Sequence, residues 1–350
     1  GKQFSLAKVE QYRQLVWNAW RTANERLDEE KLIPLQPLSD KTCSQWNLPP
    51  ELEPKAVMPY YWGTKGTTKP DEGYPLFIYT HGSGPKAAEW DTGLKICRMF
   101  DDAPSAYFIP QIPNEGSYYR WWQKSKQYAW EKLLRQSLVS GHINPDRVYI
   151  FGISEGGYGS QRLASFYADY LAGAGPMAGG EPLKNAPAEN CANIAFSLLT
   201  GAVDRGYVKN EFEHLQKEHP GLFTHRIELI PNMGHSIDYR LTTPWLKQYT
   251  RNPYPKYVLW EDFEMDGLHR KGFYNLVVKE RPDADARTRY EMTIEDNRIT
   301  LNVDNVAYEV IQKDPHWGIE LKFKKHYTPA PKGKVIVYLN SELVDLKQKV

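Results

Sequence analysis

The sequence predicts an α/β chain, a mostly parallel sheet flanked by helices, followed by a small all-β module. Three observations predict it. Apolar strand-like runs alternate with helical periodicity from Val57 to Ile230. One of those runs, Val148 to Phe151, passes directly into Gly152-Ile153-Ser154-Glu155-Gly156 and then into a helical pattern carried by Leu163, Phe166, Tyr167 and Tyr170. Beyond Arg251-Asn252-Pro253-Tyr254-Pro255, strand patterns continue with no helix between them.

The chain has 350 residues, enough for a large core and two domains. It carries 44 basic and 43 acidic residues with no basic block, which argues against a nucleic-acid partner. No apolar run approaches membrane-spanning length, so membrane insertion is not expected. Cys43, Cys97 and Cys191 are widely spaced and form no metal or redox motif. The histidines form no His-Glu-x-x-His pattern. Neither a metal nor a cofactor is therefore expected. Aromatic residues are plentiful, with 23 Tyr and 11 Trp, which suits stacking on sugars or other flat ligands. Gly1-Lys2, with no Met and no signal peptide, reads as a trimmed start.

In chain order, Val9, Tyr12, Val16, Ala19, Ala23 and Leu27 give one apolar face. Residues 5–30 are expected to form a helix laid against the main domain. Residues 31–55 carry prolines and little periodicity and read as a covering loop. Val57 to Trp62, Leu76 to Tyr79 and Ala106 to Ile109 read as strands, and a helix is expected through about Ser140. Ala172 to Gly180, Ile194 to Thr200 and Arg226 to Ile230 read as further strands, with a helix over Glu211 to Glu218. In the β-module, strands are expected at Tyr257 to Trp260, Phe273 to Val278, Tyr290 to Ile294, Ile299 to Val303, Leu321 to Phe323 and Val335 to Leu339. A hairpin turn is expected at Glu295 to Arg298. The chain stops at Val350 inside a Leu343-Val344-Leu346 pattern, so a final strand is expected beyond it and the module reads as truncated. The divisions are 1–54 as an N-terminal cover, 55–250 as the main domain and 251–350 as the β-module.

The residue types around Ser154 have a chemical reason. A nucleophilic serine must project from a sharp strand-to-helix turn, and side chains two positions either side would collide there, so both are glycine. The backbone N–H of Glu155, at the helix start, then faces a developing oxyanion. The loop His81-Gly82-Ser83-Gly84-Pro85 follows another strand. Gly82 to Ala87 also fits a dinucleotide loop. The acid that reading needs, Asp101 or Asp102, precedes the next strand instead of ending it, and Pro85 lacks the N–H a phosphate would use. An oxyanion loop, with the N–H of Ser83 or Gly84 as donor, is the better reading.

Asp204 follows one strand and His235 another, each at the same edge of a parallel sheet as Ser154. A serine hydroxyl needs an adjacent base, imidazole can shuttle the proton, and a carboxylate fixes the imidazole tautomer. The bland alternative for Asp204 is to cap the next helix, with Asp238 and Glu181 as rival acids. Trp90, Arg120, Trp121, Trp122, Tyr158 and Tyr207 follow these strands and are the candidate substrate-binding residues. The Tyr118–Trp122 run can be packing or a ligand platform.

On Pro75–Pro85, Asn144–Gly159, Gly201–Asp204 and Gly234-His235, residues 55–250 resemble secreted α/β-hydrolase serine esterases of the polyhydroxybutyrate-depolymerase and feruloyl-esterase type, and most of all the two-domain esterases of Bacteroides-type bacteria. The resemblance implies an α/β-hydrolase fold, Ser154 as nucleophile, His235 as base then acid, Asp204 as its orienter, and His81 as a loop-shaping residue. It implies cleavage of carboxylic esters, with acetyl or feruloyl esters of polysaccharides favoured, in a secreted or periplasmic protein. A peptidase, a lipase and an inactive carbohydrate-binding protein are the alternatives.

Overall fold

A computed structural model of the chain describes residues 5–203, 208–235, 238–283, 285–330 and 332–350, the side chains of 208–210 excepted. Among them eight strands form the central sheet: β1 (Cys43–Asn47), β2 (Val57–Lys65), β3 (Tyr74–Thr80), β4 (Ser105–Pro110), β5 (Ile143–Ile153), β6 (Gly173–Met177), β7 (Ala195–Gly201) and β8 (His225–Ile230). Their order is β1-β2-β4-β3-β5-β6-β7-β8. The strands from β4 across to β8 are parallel, while β2 runs antiparallel to β4 and to β1. This order and these directions are those of an α/β-hydrolase fold.

Helices α1 (Val9–Glu25), α2 (Lys86–Met99), α3 (Lys124–Ser140), α4 (Glu155–Tyr167), α5 (Val208–Glu218) and α6 (Thr242–Leu246) complete this part of the chain. Strands β4, β6 and β7 are buried along their whole length, because helices cover both faces. That is why their sequences are continuous apolar runs without alternation. Phe77 stacks between Tyr149 and Tyr107 at 4.9 and 5.3 Å, contacts worth about 0.5–1.5 kcal/mol each beyond area burial. The strand order reverses between β3 and β5. Loops leaving their carboxyl ends diverge there and open a crevice.

Two expectations change in the N-terminal segment. Its loop contains β1, which pairs with β2 over Cys43–Asn47 and so belongs to the central sheet. Trp46 anchors that strand, fully buried against Tyr60 and Phe108. Helix α1 forms, but most of its apolar face stays exposed, with only Val9 and Tyr12 half-buried. Asn24 is its only buried described residue, and Val16 remains 68% exposed. Periodicity creates an amphipathic face; it does not supply a surface to cover it.

The C-terminal module has seven described strands: β9 (Tyr257–Asp262), β10 (Gly272–Phe273), β11 (Leu276–Glu280), β12 (Arg287–Glu295), β13 (Arg298–Lys313), β14 (Glu320–Pro329) and β15 (Lys334–Val337). They form sheets β14-β13-β12-β9 and β10-β11-β15. Trp260 joins the two sheets, stacking on Phe273 and Tyr290 at 5.4 and 5.1 Å. The expected hairpin turn is present, with Asp296 and Asn297 both left-handed. The expected Phe273–Val278 strand breaks at Tyr274, which has φ 52°. Leu343 and Val344 are buried in a turn and a bend that follow β15. The module is fixed to the main domain by Arg270, which pairs bidentately with Asp169, and by Arg289 on Glu189. Among the described residues no helix is long and apolar enough to cross a membrane.

Candidate active site

Ser154 occupies the turn between β5 and α4, with φ 55° and ψ −116°, a conformation that non-glycine residues avoid. Three strands enforce it. A Cβ on Gly152 would stand 2.0 Å from Thr80 Oγ1, and one on Gly156 1.9 Å from Thr80 O. Thr80 ends β3 and donates its hydroxyl to Gly156 O at 2.7 Å. The N–H of Ser154 donates to Met177 O, at the end of β6, at 3.0 Å. The glycines are thus dictated by close backbone approach, as the motif requires.

His235 Nε2 lies 2.7 Å from Ser154 Oγ. Its loop reaches the serine by folding across the end of β7. Ala202 N–H donates to Ile230 O at 2.9 Å and Val203 N–H to Met233 O at 3.2 Å. A Cβ on Gly201 would come 2.0 Å from Gly234 O, so only glycine allows this approach. Asp204 and Tyr207 lie outside the described residues. Both rival acids are committed to arginines: Asp238 to Arg240 at 2.6 Å and Glu181 to Arg162 at 3.1 Å. Arg240 holds the exposed Asp238 carboxyl down at about 2.

The loop after β3 sits at the same crevice. His81 is fully buried, and its Nε2 accepts the N–H of Ile112 at 3.0 Å. A backbone amide can only donate, so the ring proton is on Nδ1, which lies 2.8 Å from Gly82 O. Burial lowers the His81 pKa to about 4, so the ring is neutral near pH 7. Tyr119 Oη contacts Gly82 O and lies 2.9 Å from Gly84 O. Trp121 Nε1–H donates to His81 O at 2.9 Å.

Ser83 is exposed at the tip of this loop, and Glu155 N–H has no intrahelical partner because it opens α4. Gly84 corrects the sequence reading. Its N–H donates to Glu89 Oε1 at 3.1 Å and is not open to an oxyanion while that bond holds. Burial raises the Glu155 carboxyl, opposed by Arg120, whose Nε is 3.4 Å away.

The predicted substrate residues divide. Trp121 is fully buried and corrects the platform reading: it braces the loop. Trp90 stacks on Tyr61 at 4.1 Å and donates to Ile109 O, so it too is a packing residue. Arg120 is half-exposed beside Glu155. Trp122 is half-buried with the Arg162 guanidinium 4.3 Å above its ring. Tyr158 lies one turn along α4 with its ring over Gly179, where a Cβ would come within 2.9 Å. Sequence reasoning missed Tyr119 as a brace and Glu89 as a partner of the loop. Only an acid in the first turn of the helix after His81–Pro85 hinted at the latter.

No family model and no curated protein matches the sequence. Solved structures similar to the chain include a thermostable esterase, at 20% identity and TM-score 0.42 over 60% of this chain; the chain spans 64% of that protein's length. They also include the BES protein from Bacillus cereus, at 13% identity and TM-score 0.42, covering 62% of this chain and 97% of that one. A ferulic acid esterase aligns at 13% identity and TM-score 0.42, over 59% and 97% of the two chains.

Proposed function

We propose that the protein is a serine esterase that cleaves carboxylic esters through an acyl-enzyme. The observation that carries this reading is Ser154 Oγ at 2.7 Å from His235 Nε2, on a turn with strained backbone. His235 Nε2 takes the Ser154 proton as Oγ attacks the ester carbonyl. The N–H groups of Glu155 and Ser83 receive the oxyanion. His235 returns the proton to the leaving alcohol, and water, activated by the same imidazole, releases the acid and regenerates Ser154. Asp204, next in the chain to Val203 at the foot of the His235 loop, is the acid assigned to orient the imidazole.

Acetyl or feruloyl esters of saccharides are the substrates assigned to this site, in a secreted or periplasmic enzyme. With Trp121 and Trp90 inside the packing, Trp122, Tyr158 and the half-exposed Arg120 are the described residues left to support that preference. The test is hydrolysis of a short nitrophenyl ester, with labelling by a serine-directed phosphonate. Wild type is expected to be active and labelled, and Ser154→Ala folded, inactive and unlabelled. Near wild-type hydrolysis by Ser154→Ala would refute the assignment. The saccharide preference fails if Trp122→Ala lowers catalytic efficiency equally on acetylated oligosaccharides and plain alkyl esters.

A further inference from the structure

Glu155 follows the nucleophile directly, Glu181 lies near Glu155, and Glu89 reaches the loop beside Ser154. Two carry a guanidinium. Arg120 Nε is 3.4 Å from Glu155, and Arg162 Nε is 3.1 Å from Glu181. Among the described residues no cation pairs with Glu89.

Glu89 stands in the first turn of α2, and its side chain folds back over the oxyanion loop. Its Oε1 accepts the N–H of Gly84 at 3.1 Å. A Cβ on Gly84 would come 2.4 Å from that oxygen, so the glycine makes room for the carboxylate. The hydrogen bond fixes the carboxylate, and the start of a helix favours a negative group there. The second oxygen, Oε2, has no donor among the described residues. It faces Gly82. A carbon built on Gly82 would stand 3.4 Å from Glu89 Oε2 and 3.6 Å from Ser154 Cβ. The carboxylate and the nucleophilic side chain therefore both border Gly82.

A negative charge with no cation beside it among the described residues opposes the oxyanion that ester cleavage creates. A positive charge on the substrate removes the conflict and pairs with the open oxygen. We infer that Glu89 recognises a protonated amine carried close to the ester carbonyl, which changes the acyl part of the proposed substrate from acetyl or feruloyl to an aminoacyl group. This rests on the serine-esterase reading and holds whichever alcohol is released. The bland role of Glu89 is to close the start of α2 through Gly84. Glutamine can accept the same N–H without the charge, so Glu89→Gln separates the two roles.

Ethyl glycinate and ethyl propionate have the same heavy-atom skeleton and differ by ammonium against methyl. They are compared at about pH 6.5, below the ordinary α-amino range of about 7.7–8.0. Wild type is expected to favour the glycinate in kcat/KM by roughly fivefold or more, as for a partly shielded charge pair. In Glu89→Gln and Glu89→Ala the ratio of the two kcat/KM values is expected to fall about fivefold or more from its wild-type value, chiefly through a higher KM for the glycinate. No preference in wild type, or an equal loss on both esters in the variants, overturns the proposal and leaves the esterase reading standing. If Ser154 takes the phosphonate but neither ester turns over, the comparison is read from protection. A glycinate that slows labelling no better than propionate then overturns it. If Ser154 is neither labelled nor active on either ester, the esterase reading fails and the amino-ester proposal falls with it.

Discussion

Ser154 lies between two loops built in opposite ways. The loop after β3 is held from below: His81 is fully buried, Tyr119 contacts two of its carbonyls, and Trp121 bonds a third. The loop after β8 is exposed from Pro231 to His235 and is secured through backbone bonds to the end of β7. Under the proposed function, the difference follows from what each must do. Oxyanion donors stabilise charge only if they are already in place when it forms. A general base must pass a proton between two different oxygens and needs its edge accessible.

Four experiments break or sharpen that contrast. The largest effect is expected at the contact between the loops' chemistry. Ser154→Ala and His235→Ala should each lower turnover by several orders of magnitude, and the double variant should lose little more than either. Losses that multiply, measured on purified proteins, would separate His235 from Ser154.

The next largest effect concerns stability. Trp121→Ala removes a fully buried indole that braces the loop and should cost about 3–5 kcal/mol in denaturant unfolding. Trp122→Ala, one residue on but half-buried, should cost about 1 kcal/mol. Equal costs would mean that the run is uniformly packed and the brace is not specific.

His81 predicts a pH signature. Its pKa is about 4 in the fold against 6.5 ordinarily, and the cause is burial. Between those values the unfolded chain binds the proton and the folded chain does not. Stability from this group is therefore full above 6.5 and declines as pH falls toward 4, by up to about 3 kcal/mol. His81→Asn should flatten that part of the stability–pH curve relative to wild type. An unchanged slope would place His81 in solvent contact.

The smallest effect is expected from Tyr119→Phe, which deletes one hydroxyl. Turnover should fall about tenfold with KM unchanged, because the loop loosens while the pocket persists. A rise in KM at constant kcat would make Tyr119 a substrate contact and not a brace.

The local code around Ser154 was legible in the sequence for a simple reason. A strand, a turn and a helix within Arg147–Ser160 depend on neighbours a few residues apart, and glycine at Gly152 and Gly156 is a local steric demand. The parallel sheet was legible too, since strands covered on both faces are continuous apolar runs. Long-range partnership was not. Trp121 and Trp122 have the same composition and adjacent positions, yet one is buried under His81 and the other shares its ring with Arg162. Helix α1 has a clear apolar face that the fold leaves mostly exposed, and β1 hid in a proline-rich stretch because its strand partner, not its own pattern, makes it a strand. Gly84 reads as a free donor until Glu89, five residues on, takes its N–H. Periodicity and turn chemistry report what a segment can become. Which surface meets it, and which polar group is already taken, depends on contacts that no local pattern contains, and only the tertiary structure decides them.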